Sequence, residues 1–276
     1  MPSAENLTPE GRFVGLFVGK SGSGKKTAAC SFPHPIKYFD FDGRIRGILG
    51  ADWIDRKDIN YDYYPPRAAG NNPLPVFQKL NDDLAGLLAQ CQTGQCPYKT
   101  VIVASLTGMT FDFIMDAMPL THGMGKDNKF KGKKLGVLNM PGPEDYGFEA
   151  NGTYQVMSFL RSLPIPNIIV MAHVIDRYGK ADPNDDYSER VVVGEKISLR
   201  DKISENVQVY FDHIFKFDKS MVNQFEHYTC QFRSDIARTT FKDLPNGVVD
   251  ITKRDFYKGI MAKVNPPEVE AALVKP

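Results

Sequence analysis

Neither sign of charge is in excess in this 276-residue chain: 34 Lys and Arg stand against 33 Asp and Glu, a formal charge of +1. That balance neither favours nor excludes contact with nucleic acid, which a local basic stripe can still supply. No apolar run approaches the roughly 20 residues that cross a bilayer, so no membrane span is expected. Residues 1–11 are polar and carry neither the basic flank nor the apolar stretch of a secretory signal. They read as a flexible N-terminus on a cytoplasmic protein. Cysteine is scarce, with Cys30, Cys91, Cys96 and Cys230 making four in all. That number suits free thiols in a reducing compartment better than a disulfide scaffold. Cys91, Cys96, His227 and Cys230 would form a zinc site only if two distant pairs met, and their spacings match structural zinc patterns poorly. No structural metal site is therefore expected.

What is present points to a layered α/β protein. Hydrophobic residues make up 42% of the chain, enough for a substantial core in one large domain. Residues 13–18, 36–41, 100–104 and 168–172 are short and almost wholly apolar, the pattern of parallel strands buried on both faces. Phe77, Leu80, Leu84, Leu87 and Leu88 recur at helical spacing and predict a helix over 76–91. Further helices are predicted over 111–118 and 154–163, the second closed by Pro164 and Pro166. Residues 207–217 and 225–233 alternate apolar with polar and predict an antiparallel hairpin or meander. The expected fold is a twisted, mainly parallel sheet with helices on both faces and an antiparallel C-terminal extension. It would occupy residues 12–260 as a single domain, leaving 261–276 as a tail.

The most specific signal lies directly after the first strand: Gly19-Lys20-Ser21-Gly22-Ser23-Gly24-Lys25-Lys26-Thr27. Its glycines let a backbone curl so that successive N–H groups face one phosphate, and the positive end of the next helix would add to that point. Lys25 would reach the outer phosphates of a nucleotide such as ATP or ADP. The usual pattern then places Ser or Thr, whose hydroxyl holds Mg²⁺; Lys26 stands there instead. The strand over 100–104 ends in Ala104, where an aspartate would orient the same ion, with Ser105 and Thr107 beyond it. The loop therefore predicts a phosphate cradle whose metal partners are missing, and a role for Mg²⁺ is left open.

Other candidates fall at the same sheet edge. Asp40 and Asp42 are two apart, so in a strand they share a face. Asp42 is the favoured water-positioning residue, and Gly43 beyond it also allows a simple turn. His173 ends another buried strand, where ligand-contacting residues collect in open parallel sheets. Two loops emerge nearby. The first, 121–134, holds Lys126, Lys129, Lys131, Lys133 and Lys134 around Phe130, which suits a phosphate backbone with a stacking platform. The second, 176–190, holds Arg177.

Taken in order, the 19–27 loop, Phe39-Asp40-Phe41-Asp42-Gly43, Ser105-Leu106-Thr107, Asp145-Tyr146-Gly147 and Met171-Ala172-His173 make the chain resemble RecA-like P-loop ATPases of bacteriophages. The resemblance is to the small AAA-type proteins of single-strand annealing and recombination, over residues 12–245. It implies phosphate binding by Lys25, a catalytic Asp42, a nucleotide-sensing His173, and two DNA-facing loops after residues 118 and 173. It also implies a homo-oligomeric ring or filament in which Arg238 or Lys242 completes a neighbour's site. Single-stranded DNA and a phage or host single-strand-binding protein are the partners it implies. Lys26 and Ala104 depart from its pattern. A non-catalytic, self-assembling structural protein that kept the fold is the alternative, and a small-molecule kinase a third reading.

Overall fold

The computed structural model describes residues 12–65, 76–123, 134–135, 138–139, 141–181 and 189–263. Their centre is a parallel sheet. Strand β1 (Phe13–Gly19) lies between β7 (Asn167–Lys180) and β9 (His213–Val222), and runs parallel to both. Beyond β7 come β4 (Thr100–Ala104), β2 (Ile36–Asp40) and β3 (Ile59–Tyr63), again parallel. Beyond β9 the sheet turns antiparallel through β10 (Phe225–Gln231) and β11 (Val248–Asp250). This is the expected mainly parallel sheet with an antiparallel C-terminal extension. Strands β5 (Lys134–Leu135) and β6 (Leu138–Asn139) form a separate small pair.

The two faces of the sheet are built by strand alternation. Val14, Leu16 and Val18 of β1 point into one core, with Val101, Val103, Ile168 and Val170. That core is covered by α2 (Val76–Gln92), α3 (Leu106–Gly123), α4 (Pro143–Ser162) and α5 (Asp201–Val207). Phe13 and Phe17 point the other way, joining Phe32, Phe215, Phe217, Phe232 and Phe256 in a second, aromatic core. There α1 (Lys25–Ala29), α6 (Phe256–Gly259) and the irregular segment 45–54 supply the cover. His213 lies against both Phe13 and Phe241 with its ring nearly parallel to theirs, and burial lowers its pKa to about 4.

Several boundaries differ from expectation for local reasons. α4 begins at Pro143 rather than near 154, because Pro143 fits a first helical turn and the Asp145 carboxylate accepts the Gly142 amide at 2.7 Å. Residues 207–212 are not strand: α5 and a 3-10 turn fill them, and β9 starts only at His213. The polar loop expected over 176–190 is a correction of another kind. β7 continues to Lys180 and pairs antiparallel with β8 (Arg190–Ile197), forming a two-stranded arm beyond the parallel core. Alternating charged residues made it look like a loop, but backbone pairing needs no apolar side chains. Met261 is buried in the aromatic core, so packing continues past residue 260. No helix among the described residues is long and apolar enough to cross a membrane.

Candidate functional site

Parallel register brings the candidate residues to one end of the sheet. Gly19 pairs with His173, Ala104 with Met171, and Asp40 with Ala104, so the carboxyl ends of β1, β4 and β2 lie beside the middle of β7. The 19–27 loop closes over this edge. Gly22 and Gly24 have φ of 78° and 88°, a region that favours glycine, and that is what lets the loop curl. Lys25 is 6% exposed, and its Nζ donates to the carbonyls of Gly19 at 2.7 Å and Lys20 at 2.9 Å, with the Ser23 hydroxyl at 3.4 Å. The ammonium is thus fixed inside the ring of the loop. Helix α1 spans only five residues, so its dipole adds little and the expected helix-end contribution gives way to the loop and Lys25.

A cavity of about 800 Å³ opens over the loop, lined by residues 21–28 and by Asp42, Ser105, His173, Trp53 and Tyr228 among others. Gly19 and Lys20 do not line it. Lys20 sits on the loop's outer side and pairs with Asp176 of the arm at 2.8 Å.

The two aspartates separate in role. Asp40 is 1% exposed, and its carboxylate accepts the backbone amides of Asp42, Arg44 and Ile45, which shapes the turn after β2. Its oxygens are committed there, which corrects the expectation of a paired carboxylate site. Asp42 faces the cavity instead. It accepts a hydrogen bond from Ser105 Oγ at 2.9 Å and lies 3.6 Å from His173 Nε2. Burial works against its charge, but the contacts with His173 and Ser105, together with nearby Lys26, outweigh burial and hold its pKa below the ordinary value. Ser105, missed as a site residue in its own right, is fixed in turn by the Gly108 amide at 3.1 Å. Its hydroxyl was visible in sequence, but its pairing with Asp42 across the sheet was not.

Lys26 lines the cavity, yet its Nζ donates to the Arg44 carbonyl rather than pointing at the loop. Burial lowers its pKa, with Asp40 and Asp42 opposing the shift. The usual Mg²⁺ ligands are missing from this constellation. Lys26 replaces the hydroxyl and turns its ammonium to the Arg44 carbonyl, Ala104 ends β4 with no oxygen, and Ser105 Oγ is engaged with Asp42. Among the described residues, no three His, Cys, Asp or Glu side chains converge to hold a metal. The zinc possibility fails for a related reason: Cys91 and Cys96 pack on the helical core, whereas Cys230 is buried in the aromatic one.

The remaining candidates are dispersed. Lys126, Lys129, Phe130, Lys131 and Lys133 lie outside the described residues; Lys134 opens β5. Arg177 stands exposed on the arm beside Tyr178, at a β-bulge. Arg238 donates to the Gln208 carbonyl of its own chain at 2.6 Å, and Lys242 is exposed. Neither lines the cavity. Trp53 and Tyr228, which do, were missed because they are far from the loop in sequence and carry no motif.

No protein-family model matches the chain, and no curated protein matches it. Among solved structures, it is similar to the KaiC-like protein PH0186 from the hyperthermophilic archaeon Pyrococcus horikoshii OT3. That match has 12% identity and a TM-score of 0.42, covering 86% of this chain and 88% of the other. A superposition this loose carries no inference about activity.

Proposed function

We propose that this chain binds a nucleoside tri- or diphosphate through residues 19–27, hydrolyses it slowly or not at all, and works with single-stranded DNA as a homo-oligomer. The observation that carries the reading is Lys25, buried at the centre of a glycine-curled loop that opens onto a cavity large enough for a nucleotide. Asp42, kept charged by His173 and Ser105 and held in place by the Ser105 hydroxyl, is suited to orient a water near a terminal phosphate. His173 beside it would feel whether that phosphate is present. Without a metal to fix the phosphoryl geometry, turnover should be slow, since losing each charge-stabilising group typically costs about 2–4 kcal/mol of transition-state stabilisation.

The DNA reading has support from the arm, where Arg177, Tyr178, Lys180 and Arg190 are exposed. Cations around an exposed aromatic suit a phosphate backbone with a stacked base. The Lys20–Asp176 pair ties this arm to the nucleotide loop. A role in recombination or annealing, with a single-strand-binding protein as partner, follows from the resemblance of the motifs. Lys26 and Ala104 also favour a second reading, a self-assembling structural protein that keeps the fold without turnover.

Thermal unfolding with ATP and with ADP tests the nucleotide reading, since a ligand that binds only the folded state raises Tm by mass action. Protection by either nucleotide is expected. No shift with both, at concentrations far above physiological, would overturn it.

A further inference from the structure

Two thiols at the end of α2 take no part in the cavity. The helix closes through Gly94, whose φ of 70° lies in the left-handed region that glycine adopts without strain. The Gly94 amide donates to the Cys91 carbonyl at 3.2 Å, and the Gln95 amide to the Gln90 carbonyl at 2.9 Å. Those two bonds are the paired closure of a Schellman motif, which reverses the chain at once. Cys96 is therefore returned beside the last turn of the helix rather than carried away from it. Cys91 and Cys96 are both partly buried against the helical core, with residues 92–95 exposed between them. Burial first, then the hydrogen bond with Cys96 and its charge, push the Cys91 thiol up to about 12. The two sulfurs are thus in contact, and neither is in a disulfide. Cys30 and Cys230, each 0% exposed in the aromatic core, have no such access to solvent.

We infer that Cys91 and Cys96 form a thiol–disulfide exchange site, which reacts with a low-molecular-weight disulfide and closes reversibly into a Cys91–Cys96 bond. Two thiolates in contact repel, so one sulfur of the pair keeps its proton. Burial makes that sulfur Cys91, and Cys96 is the attacking one. The Cys96 thiolate attacks one sulfur of the incoming disulfide, whose S–S bond breaks and releases a thiolate. Cys91 then gives its proton to water, and its sulfur attacks the Cys96 sulfur of the mixed disulfide, releasing a second thiolate. Two protein thiols are oxidised by two electrons, and one disulfide is reduced to two thiols. The chain beyond the turn is anchored, since the Lys99 amide donates to the Pro35 carbonyl at 2.8 Å before β4 begins at Thr100. The pair accordingly lies at the amino ends of the parallel strands, the edge opposite the 19–27 loop. The inference therefore does not rest on the phosphate reading.

The full chain, reduced and then freed of reductant, is incubated with glutathione disulfide under native conditions. Remaining thiols are alkylated, and the protein is digested and mapped by mass spectrometry without reduction. The unaltered chain is expected to yield a Cys91–Cys96 cross-link, lighter by two hydrogens, with no glutathione retained. Dithiothreitol should restore both thiols. Cys91→Ser should trap glutathione on Cys96, because the sulfur that would release it is gone. Cys96→Ser should react about tenfold more slowly than Cys91→Ser, since its remaining thiol is the one that holds its proton. An unaltered chain that stays unreacted, or that carries glutathione with no 91–96 bond, would overturn the inference. So would a Cys96→Ser chain that reacts as fast as Cys91→Ser.

Discussion

Lys25 shows how one residue sets a condition on the whole site. Burial draws its pKa from 10.5 to about 8, with Lys26 adding to the shift and Asp42 opposing it. A bound phosphate favours the ammonium, so above about pH 8 binding must take up a proton, and ATP affinity should fall as pH rises. The slope should approach a tenfold loss per pH unit. The free protein behaves oppositely: between about 8 and 10.5 the unfolded chain holds more protons at this group than the folded one. The group's contribution to stability therefore rises with pH across that window. Calorimetry at about pH 7 and about pH 9.5 checks the binding slope; equal affinity at both would show that Lys25 does not meet the phosphate. Residue type made Lys25 legible in sequence, because strand, glycine loop and lysine form a local pattern. Asp40 and Asp42 were legible only as a pair. Which one caps a turn and which faces the cavity depends on the backbone path after β2, and that path is set by Gly43, with φ of 64°, and by the following 3-10 turn.

Among the elements, the arm of β7 and β8 is the part whose nature the sequence concealed. Its inner part, residues 168–172, is a continuous apolar run, whereas its outer part mixes charge with exposed Ile175 and Tyr178. Exposure of both faces removes the periodic signal, and only the antiparallel pairing with β8 reveals a strand. The arm is joined to the rest by charge: Lys20 reaches Asp176 at 2.8 Å, and Lys216 of β9 reaches Glu195 of β8 at 2.7 Å. If the arm meets single-stranded DNA, Arg177→Ala should weaken binding across sequences and lower the salt slope by about one phosphate contact. Tyr178→Ala should cost about 1–3 kcal/mol of affinity through a lost stack. Changing Lys129, Lys131, Lys133 and Lys134 together to Ala tests the other loop by the same assay. Fluorescence anisotropy with a labelled single strand over a salt series reads all three. Affinities unmoved in every variant would exclude DNA from these surfaces.

The molecule as a whole follows from strands that the sequence displays plainly. Four apolar runs became the parallel centre, and alternation along β1 divided its side chains between a helical and an aromatic core. The cavity was not legible, because its lining includes Trp53 and Tyr228, which lie far from the loop in sequence and meet it only in the folded chain. The same assembly explains why the usual ligands of a divalent ion are missing: β4 delivers Ala104 to the edge, and Lys26 replaces the hydroxyl and turns to the Arg44 carbonyl. A nucleotide site built around Lys25 that works without Mg²⁺ is tested by calorimetric titration with ATP, in chelator and again in excess Mg²⁺, of the unaltered chain and of Lys25→Ala. Binding of similar affinity with and without the metal is expected. The variant should lose about 1.5–3 kcal/mol, the range for a hydrogen bond to a charged group. Binding that requires Mg²⁺, or an affinity that Lys25→Ala leaves unchanged, would contradict this reading.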